Sequence, residues 1–385
     1  MSHKKTFGFF MKNNFKKGCS IAGRVATNDS TPFKKFFAAI CYALLFFAGG
    51  CNLNNPEDNG SQIDPQNSPF CFVVNEGNFM ASNGSISKYD ITNKKVVNNF
   101  FEAANNGAVL GDAPTAITVA GNVGYVPISG SGKVYIINLS SGALKDKITG
   151  LNSPRNVALI DDKKGYISNL FENKIDVFDR KTNSLTGAIE LPKGCFAEEF
   201  VIAGEFVYTN CWSYGTKILR IDPRTDKVVA ELEVGVQPYK MRKEAKSGKL
   251  WVLTDGGWEG NETGYEKPTL MCIDPATFTI EKRIAFERSA AAYWLTMELY
   301  GNEIYLANGD LYKVPTSANA LPSQPFIRAQ GRSFHAVGLF STNVYISDAI
   351  DYQQAGKIYI YNNKGELTDS FATGVIPGAF SMALL

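Results

Sequence analysis

One pattern recurs seven times along this sequence, and it restricts the chain to a radially repeated sheet fold. It is clearest over residues 164–194, which read KGYISNLFENKIDVFDRKTNSLTGAIELPKG. Three runs rich in apolar, aromatic and β-branched residues, at 165–169, 174–179 and 185–191, are broken at Glu172-Asn173 and at Lys181-Thr182-Asn183, where the residues suit turns. Alone, three such strands make a marginal sheet with two open edges. The centre of the second strand returns at Val73, Tyr125, Tyr166, Tyr208, Trp251, Tyr305 and Tyr345. The end of the third returns at Asp90, Asn138, Asp179, Asp222, Asp274, Val314 and Asn362, with spacings between 40 and 52 residues. Such a period, at four strands per unit, predicts an all-β, seven-bladed β-propeller, in which each blade buries its faces on its neighbours and closure leaves only short edges.

The innermost strand of each unit is expected just ahead of the second, at 115–119, 156–160, 200–203, 239–242, 295–299 and 336–340. The first unit has no such strand before Val73. The C-terminal stretch AFSMALL, at 379–385, supplies one, so the last strand is expected to complete the first blade and latch the ring shut.

The start of the chain is a different object. Lys34-Lys35 precede an almost wholly apolar run at 36–48, and Ala48-Gly49-Gly50-Cys51 follows. A positive region, a short apolar core and small residues before a cysteine read as a lipoprotein signal peptide over 1–50, with Cys51 carrying the lipid. About 20 apolar residues are needed to span a bilayer, so this run is too short for a comfortable transmembrane anchor. Met11 is an alternative start. Residues 51–69, rich in Asn, Pro, Asp, Ser and Gln, read as a tether, and 70–385 as the propeller.

The leader takes eight basic residues and one acidic residue with it, leaving 31 basic and 36 acidic, a formal charge of −5. That balance excludes a basic nucleic-acid footprint. His335 is the one histidine beyond the leader, which excludes a multi-histidine metal centre, and no cofactor is expected. Ser129-Gly130-Ser131-Gly132-Lys133 looks faintly like a phosphate loop, but it precedes a strand instead of a helix and reads as a hairpin turn. Cys195 and Cys211 fall in two connections of one blade that open on the same side. That placement leaves open both a bridge, which is permitted outside the cytoplasm, and two free thiols. Cys71 and Cys272 lie in strands and read as small buried hydrophobes.

Strand alternation sends the connection into each innermost strand, and the connection between strands two and three, to one face of the disk. That face collects Asn75, Glu76, Asn78 and Phe79 from NEGNF, then Asp112, Arg155, Asn169, Phe171, Glu198, Asn210, Trp212, Trp258, Tyr293 and His335. Aromatic and carboxamide groups gathered on loops of a rigid scaffold point to ligand binding. For Asn169 and Asn210 the alternative is that each merely ties its own turn. Asp161-Asp162, followed by two lysines, reads as a solvated turn. Glu198-Glu199 falls on the candidate face, so a functional reading, as general acid and base or as calcium ligands, stays open beside the plain structural one.

The units at 166–182 and 208–225, each with an aromatic-led strand, a Lys-Ile pair and an Asp-x-x-Thr turn, resemble the YncE-like seven-bladed propellers. The opening NEGNF at 75–79 with LGDAP at 110–114 is similar to the BtuG-type surface lipoproteins. This resemblance, spanning about residues 70–385, implies a non-enzymatic, lipid-anchored capture protein of the outer membrane. Such a protein would bind a small molecule of the cobalamin or corrinoid class and pass it to a TonB-dependent transporter. Two departures stand out: a long insertion at 256–268, and Val314-Pro315 where an Asp-x-x-Thr turn belongs. The competing classes are a protein-interaction scaffold and a calcium-dependent lactonase-type hydrolase using Glu76 or Glu198.

Overall fold

The computed structural model describes residues 68–260 and 262–385, so the leader, Cys51 and most of the tether lie outside the described residues. Seven antiparallel sheets form the ring. Blade three shows the plan: Pro154–Leu159 is innermost, followed outward by Lys164–Asn169, Lys174–Asp179 and Ser184–Glu190. The other innermost strands are Thr118–Ala120, Ala197–Ala203, Pro238–Lys243, Thr296–Tyr300, Phe334–Phe340 and Pro377–Leu384. Each of the seven touches the innermost strand of the next blade, and the cycle closes on itself.

Pro377–Leu384 pairs antiparallel with Pro69–Asn75, which continues through Ser85–Asp90 to Lys95–Val97, so the C-terminal strand does complete blade one. Ser68 and Leu385 exchange both backbone hydrogen bonds, 2.9 and 3.0 Å, at the end of this pair away from Glu76. Gly338 in the innermost strand of blade seven makes room for the latch. A Cβ there would sit 2.7 Å from the Phe380 ring.

The core is divided among the seams. Seven buried clusters occur, one for each junction between neighbouring blades. The repeating second-strand aromatics supply the largest members: Trp251, Tyr166, Tyr208 and Tyr345 are almost fully buried. Their rings reach across the seam, Tyr208 to Phe278 at 5.6 Å, Tyr125 to Phe178 at 5.8 Å and Tyr345 to Phe380 at 6.4 Å. Burying one such side chain contributes about 1.5–3 kcal/mol, which is why the aromatic position repeats while the turns drift in length.

Two features depart from the expected plan. Blade six has three strands, Thr296–Tyr300, Glu303–Asn308 and Asp310–Pro315, and beyond them only an isolated bridge from Leu311 to Ile327. Pro315 ends its strand without a donor and no Asp-x-x-Thr turn follows, so the chain cannot fold straight back as an outer strand. Between blades one and two, a five-residue helix, Phe100–Ala104, lays Phe100 against Phe72 and Phe101 against Tyr135.

Candidate functional site

Five innermost strands begin with a break in register; that of Pro377–Leu384 falls at Gly378, and the other four carry the side chains that build the site. The pairing shifts between Pro154 and Val157, Ala197 and Phe200, Pro238 and Lys240, and Phe334 and Val337. A bulge kinks a strand and re-aims the side chains it carries, here Arg155, Glu198, Glu199, Tyr239 and His335. The amides that lose ladder partners are met by polar side chains of the second strand. Asn156 N–H donates to Ser168 Oγ at 3.0 Å, Glu199 N–H to Asn210 Oδ1 at 2.8 Å and Ala336 N–H to Ser347 Oγ at 2.7 Å.

The re-aimed groups pair across the mouth of the central channel. Arg155 holds Glu198 through two bonds, 2.8 and 2.7 Å. Glu199 accepts from Lys240 at 2.8 Å and from Arg242 at 3.0 Å, and Arg242 reaches on to Glu298 at 2.7 Å. Burial alone would raise the Glu199 carboxyl, but Lys240 and Arg242 outweigh it and hold the group at about 2. Burial opposes charge on Arg155 and Arg242 too, yet their carboxylate partners keep both above the ordinary arginine value. Glu76 is more open. Its side chain is 39% exposed, it lies 3.4 Å from His335 Nε2, and Gly378 gives it passage. Burial pushes its carboxyl up, while His335, Arg155 and Lys240 together pull it below the usual range.

Aromatic rings line the same mouth. Tyr239 is half-buried between Trp212, at 5.2 Å, and Trp294, at 6.1 Å. Its hydroxyl has no hydrogen-bond partner among the described residues, and burial raises its pKa. The Arg155 guanidinium lies 5.8 Å from the Trp212 ring centre, and His335 packs edge-on against Trp294 and Tyr352. Farther out the rim is exposed: Phe79, Met80, Phe171, Trp258, Tyr265 and Tyr293 all present large apolar surface.

The expected residues therefore divide. Arg155, Glu198, Glu76 and His335 converge at the mouth, and Phe79, Phe171, Trp258 and Tyr293 stand on its rim. Asn75, Asn169 and Asn210 are fully buried. Asn75 bonds Ser85, Ser87 and Thr373; Asn169 bonds Asp176; and Asn210 ties Pro238 and Tyr239 carbonyls to its own strand. These three hold strands and turns in place and offer no surface to a ligand. Asn78 bonds the Tyr352 carbonyl at 2.7 Å, and Asp112 accepts from Met80 N–H at 3.0 Å, pinning the NEGNF loop to the LGDAP segment. Trp212, expected as an exposed loop ring, is 9% exposed and donates its indole N–H to Asp255 at 3.2 Å. The Cys195–Cys211 bridge is formed, with Cα atoms 4.7 Å apart, beneath this wall. Sequence reasoning missed Tyr239, Trp294, Lys240 and Arg242. For Tyr239 and Lys240 the signal is a polar or aromatic residue at the first positions of an innermost strand, repeated from blade to blade; Trp294 precedes its strand and Arg242 falls late in its own, so neither carries that signal.

The family model described as a domain of unknown function, DUF5074, matches residues 70–372. The chain belongs to the DUF5074 family. Solved structures similar to this DUF5074 protein include a quinonprotein alcohol dehydrogenase-like protein from Bacteroides thetaiotaomicron VPI-5482, with a TM-score of 0.61 and 17% identity over 82% of this chain and 79% of that one. A functionally unknown protein from Desulfotomaculum acetoxidans DSM 771 gives 0.60 and 13%, covering 82% and 98%. Dihydro-heme d1 dehydrogenase NirN in complex with DHE gives 0.52 and 12%, covering 85% and 77%. At these identities the likeness concerns the propeller fold alone. A sequence comparison with curated proteins finds no match.

Proposed function

We propose that this DUF5074 protein is a non-enzymatic capture module that binds a medium-sized ligand, with a broad apolar face and several polar groups, at the channel mouth. The observation that carries the reading is Tyr239, held between Trp212 and Trp294 with a free hydroxyl and ringed by mutually paired charges. Rings supply contact area at small entropic cost, and fixed charges and amides orient the guest. Chemistry is disfavoured by the same pairing. Glu198, the carboxylate suited to act as a base, is clamped by Arg155, and Glu199 by Lys240 and Arg242. A corrinoid suits such a surface and is the first ligand to test, in line with the BtuG-type resemblance. On this reading the lipid on Cys51 holds the module at the outer membrane, beside a TonB-dependent transporter that receives the ligand.

Calorimetry of the protein with cyanocobalamin, then with a glycan panel and with calcium, tests the capture reading. Binding of cyanocobalamin that survives a chelator and weakens in Tyr239→Ala supports it. The exposed rim favours one other reading, a docking platform for a protein. Silence toward every small ligand, with a co-purifying protein lost in Trp258→Ala, replaces capture with docking. The anchor is checked separately by metabolic lipid labelling, which Cys51→Ala should abolish; unchanged labelling removes the lipoprotein reading.

A further inference from the structure

On the face opposite the mouth, the seam between blades five and six lacks a bond that the two seams before it make. In blade three the Tyr166 hydroxyl bonds Asp226, in the outer turn of blade four. In blade four the Tyr208 hydroxyl donates to the Pro275 carbonyl at 2.9 Å, in the outer turn of blade five. The corresponding aromatic of blade five is Trp251, and blade six has no outer strand to bring a turn to it. Trp251 is 1% exposed, and its indole N–H has no acceptor. A buried donor left unpaired costs about 1–3 kcal/mol.

A cleft of about 400 Å³ opens at this seam, and Trp251, Glu244 and Lys282 line it. Lys282 and Glu244 carry opposite charges there, and neither has an ionic partner among the described residues. The Lys282 ammonium donates to two neutral carbonyls, Thr316 at 3.0 Å and Ala318 at 2.9 Å. The Glu244 carboxylate accepts from two hydroxyls, Thr316 at 2.9 Å and Ser247. The other charges of the cleft, Lys249 and Glu281, neutralise each other in a direct ion pair. One cation and one anion, each held by neutral dipoles on either side of Thr316, complement a ligand that carries both signs.

The geometry points to a second binding site, in this cleft, for a small zwitterion of the α-amino-acid class. The ligand carboxylate meets Lys282 on the Trp251 side, and its ammonium meets Glu244. The volume lies at the low end of the usual range for small-molecule pockets, which suits an amino acid. This site is independent of the mouth and of whatever the mouth binds.

The test follows the Trp251 indole N–H resonance of the 15N-labelled protein, assigned by its loss in Trp251→Phe. L-alanine, L-glutamine and L-phenylalanine are titrated, with acetate and methylammonium as the two half-ligands. At least one amino acid should shift the resonance saturably, with an affinity about tenfold or more above either half-ligand. Glu244→Gln and Lys282→Met should each weaken that affinity by about tenfold or more, and Tyr239→Phe, in the mouth, should leave it unchanged. The Trp212, Trp258 and Trp294 resonances report whether each variant keeps its fold, so a misfolded Glu244→Gln leaves the decision to Lys282→Met. A Trp251 resonance indifferent to all three amino acids overturns the site. Acetate binding as tightly as the best amino acid, or full affinity in a folded Lys282→Met, overturns the zwitterion assignment.

Discussion

Individual residues at the mouth divide into those that can meet a ligand and those that hold the ones that do. Trp258 is 44% exposed and touches Tyr214 edge-on at 5.8 Å, whereas Trp212 is buried and hydrogen-bonded to Asp255. Trp258→Ala should therefore weaken ligand binding by roughly 1–3 kcal/mol and leave the melting temperature in place. Trp212→Ala removes a packed core ring and should cost about 3–5 kcal/mol of stability. Paired calorimetry and thermal melts check both; a Trp212→Ala protein as stable as its parent would mean the ring is not part of the wall. The sequence could not separate these two tryptophans. Each follows a second strand closely, and only the arrival of Asp255 from the neighbouring blade decides which is covered. Asn210 was ambiguous for the same reason: its partners, Pro238 and Tyr239, belong to another blade.

At the scale of elements, the latch and the bulges carry the architecture. Deleting 380–385 removes Phe380 from the Tyr345 ring and leaves Pro69–Asn75 as an open edge. The truncated protein should melt lower and aggregate, because an exposed strand edge templates further pairing. Undiminished solubility and melting temperature in light scattering and calorimetry would displace the latch from its role. The disulfide spans the two ends of the Ala197–Ala203 and Phe206–Cys211 hairpin, and its sequence separation of 16 residues corresponds to about 3 kcal/mol. Cys195→Ser should lose about that much in denaturant titrations, and a loss near zero would mark the bridge as ornamental to stability. The strands and the latch were legible because their apolar period and spacing are local properties of the chain. The bulges were not, since a break in register is a relation between two strands. The missing outer strand of blade six was half legible: Val314-Pro315 announced that the usual turn was absent, but not that no strand would follow.

Across the whole molecule, stability should depend on acid through the mouth. Folding lowers the Glu199 carboxyl from 4.5 to about 2. A depressed carboxylate stabilises the fold fully above its unfolded value, and this contribution is lost as pH falls from about 4.5 toward 2. Glu199→Gln lacks that dependence. The gap in melting temperature between the two proteins should be widest above pH 5 and should narrow on acidification through that window. A gap that stays constant from pH 6 to pH 2.5 would show that Lys240 and Arg242 do not hold the charge.

The hydrogen-bonded meeting of Ser68 with Leu385 puts the two ends of the described chain on one face of the disk. Both ends of the described chain leave from the side turned away from Glu76, Tyr239 and the rim. A support coupled directly to Ser68 or Leu385 meets the back of the disk and leaves the mouth facing the medium. If Cys51 is the anchor, the sixteen residues between it and Ser68 limit the excursion to about 60 Å at full extension. If, as proposed, a captured molecule also passes to a neighbour in the same membrane, the disk must turn over within that radius, and the number of residues from Cys51 to Ser68 becomes a determinant of the rate of transfer.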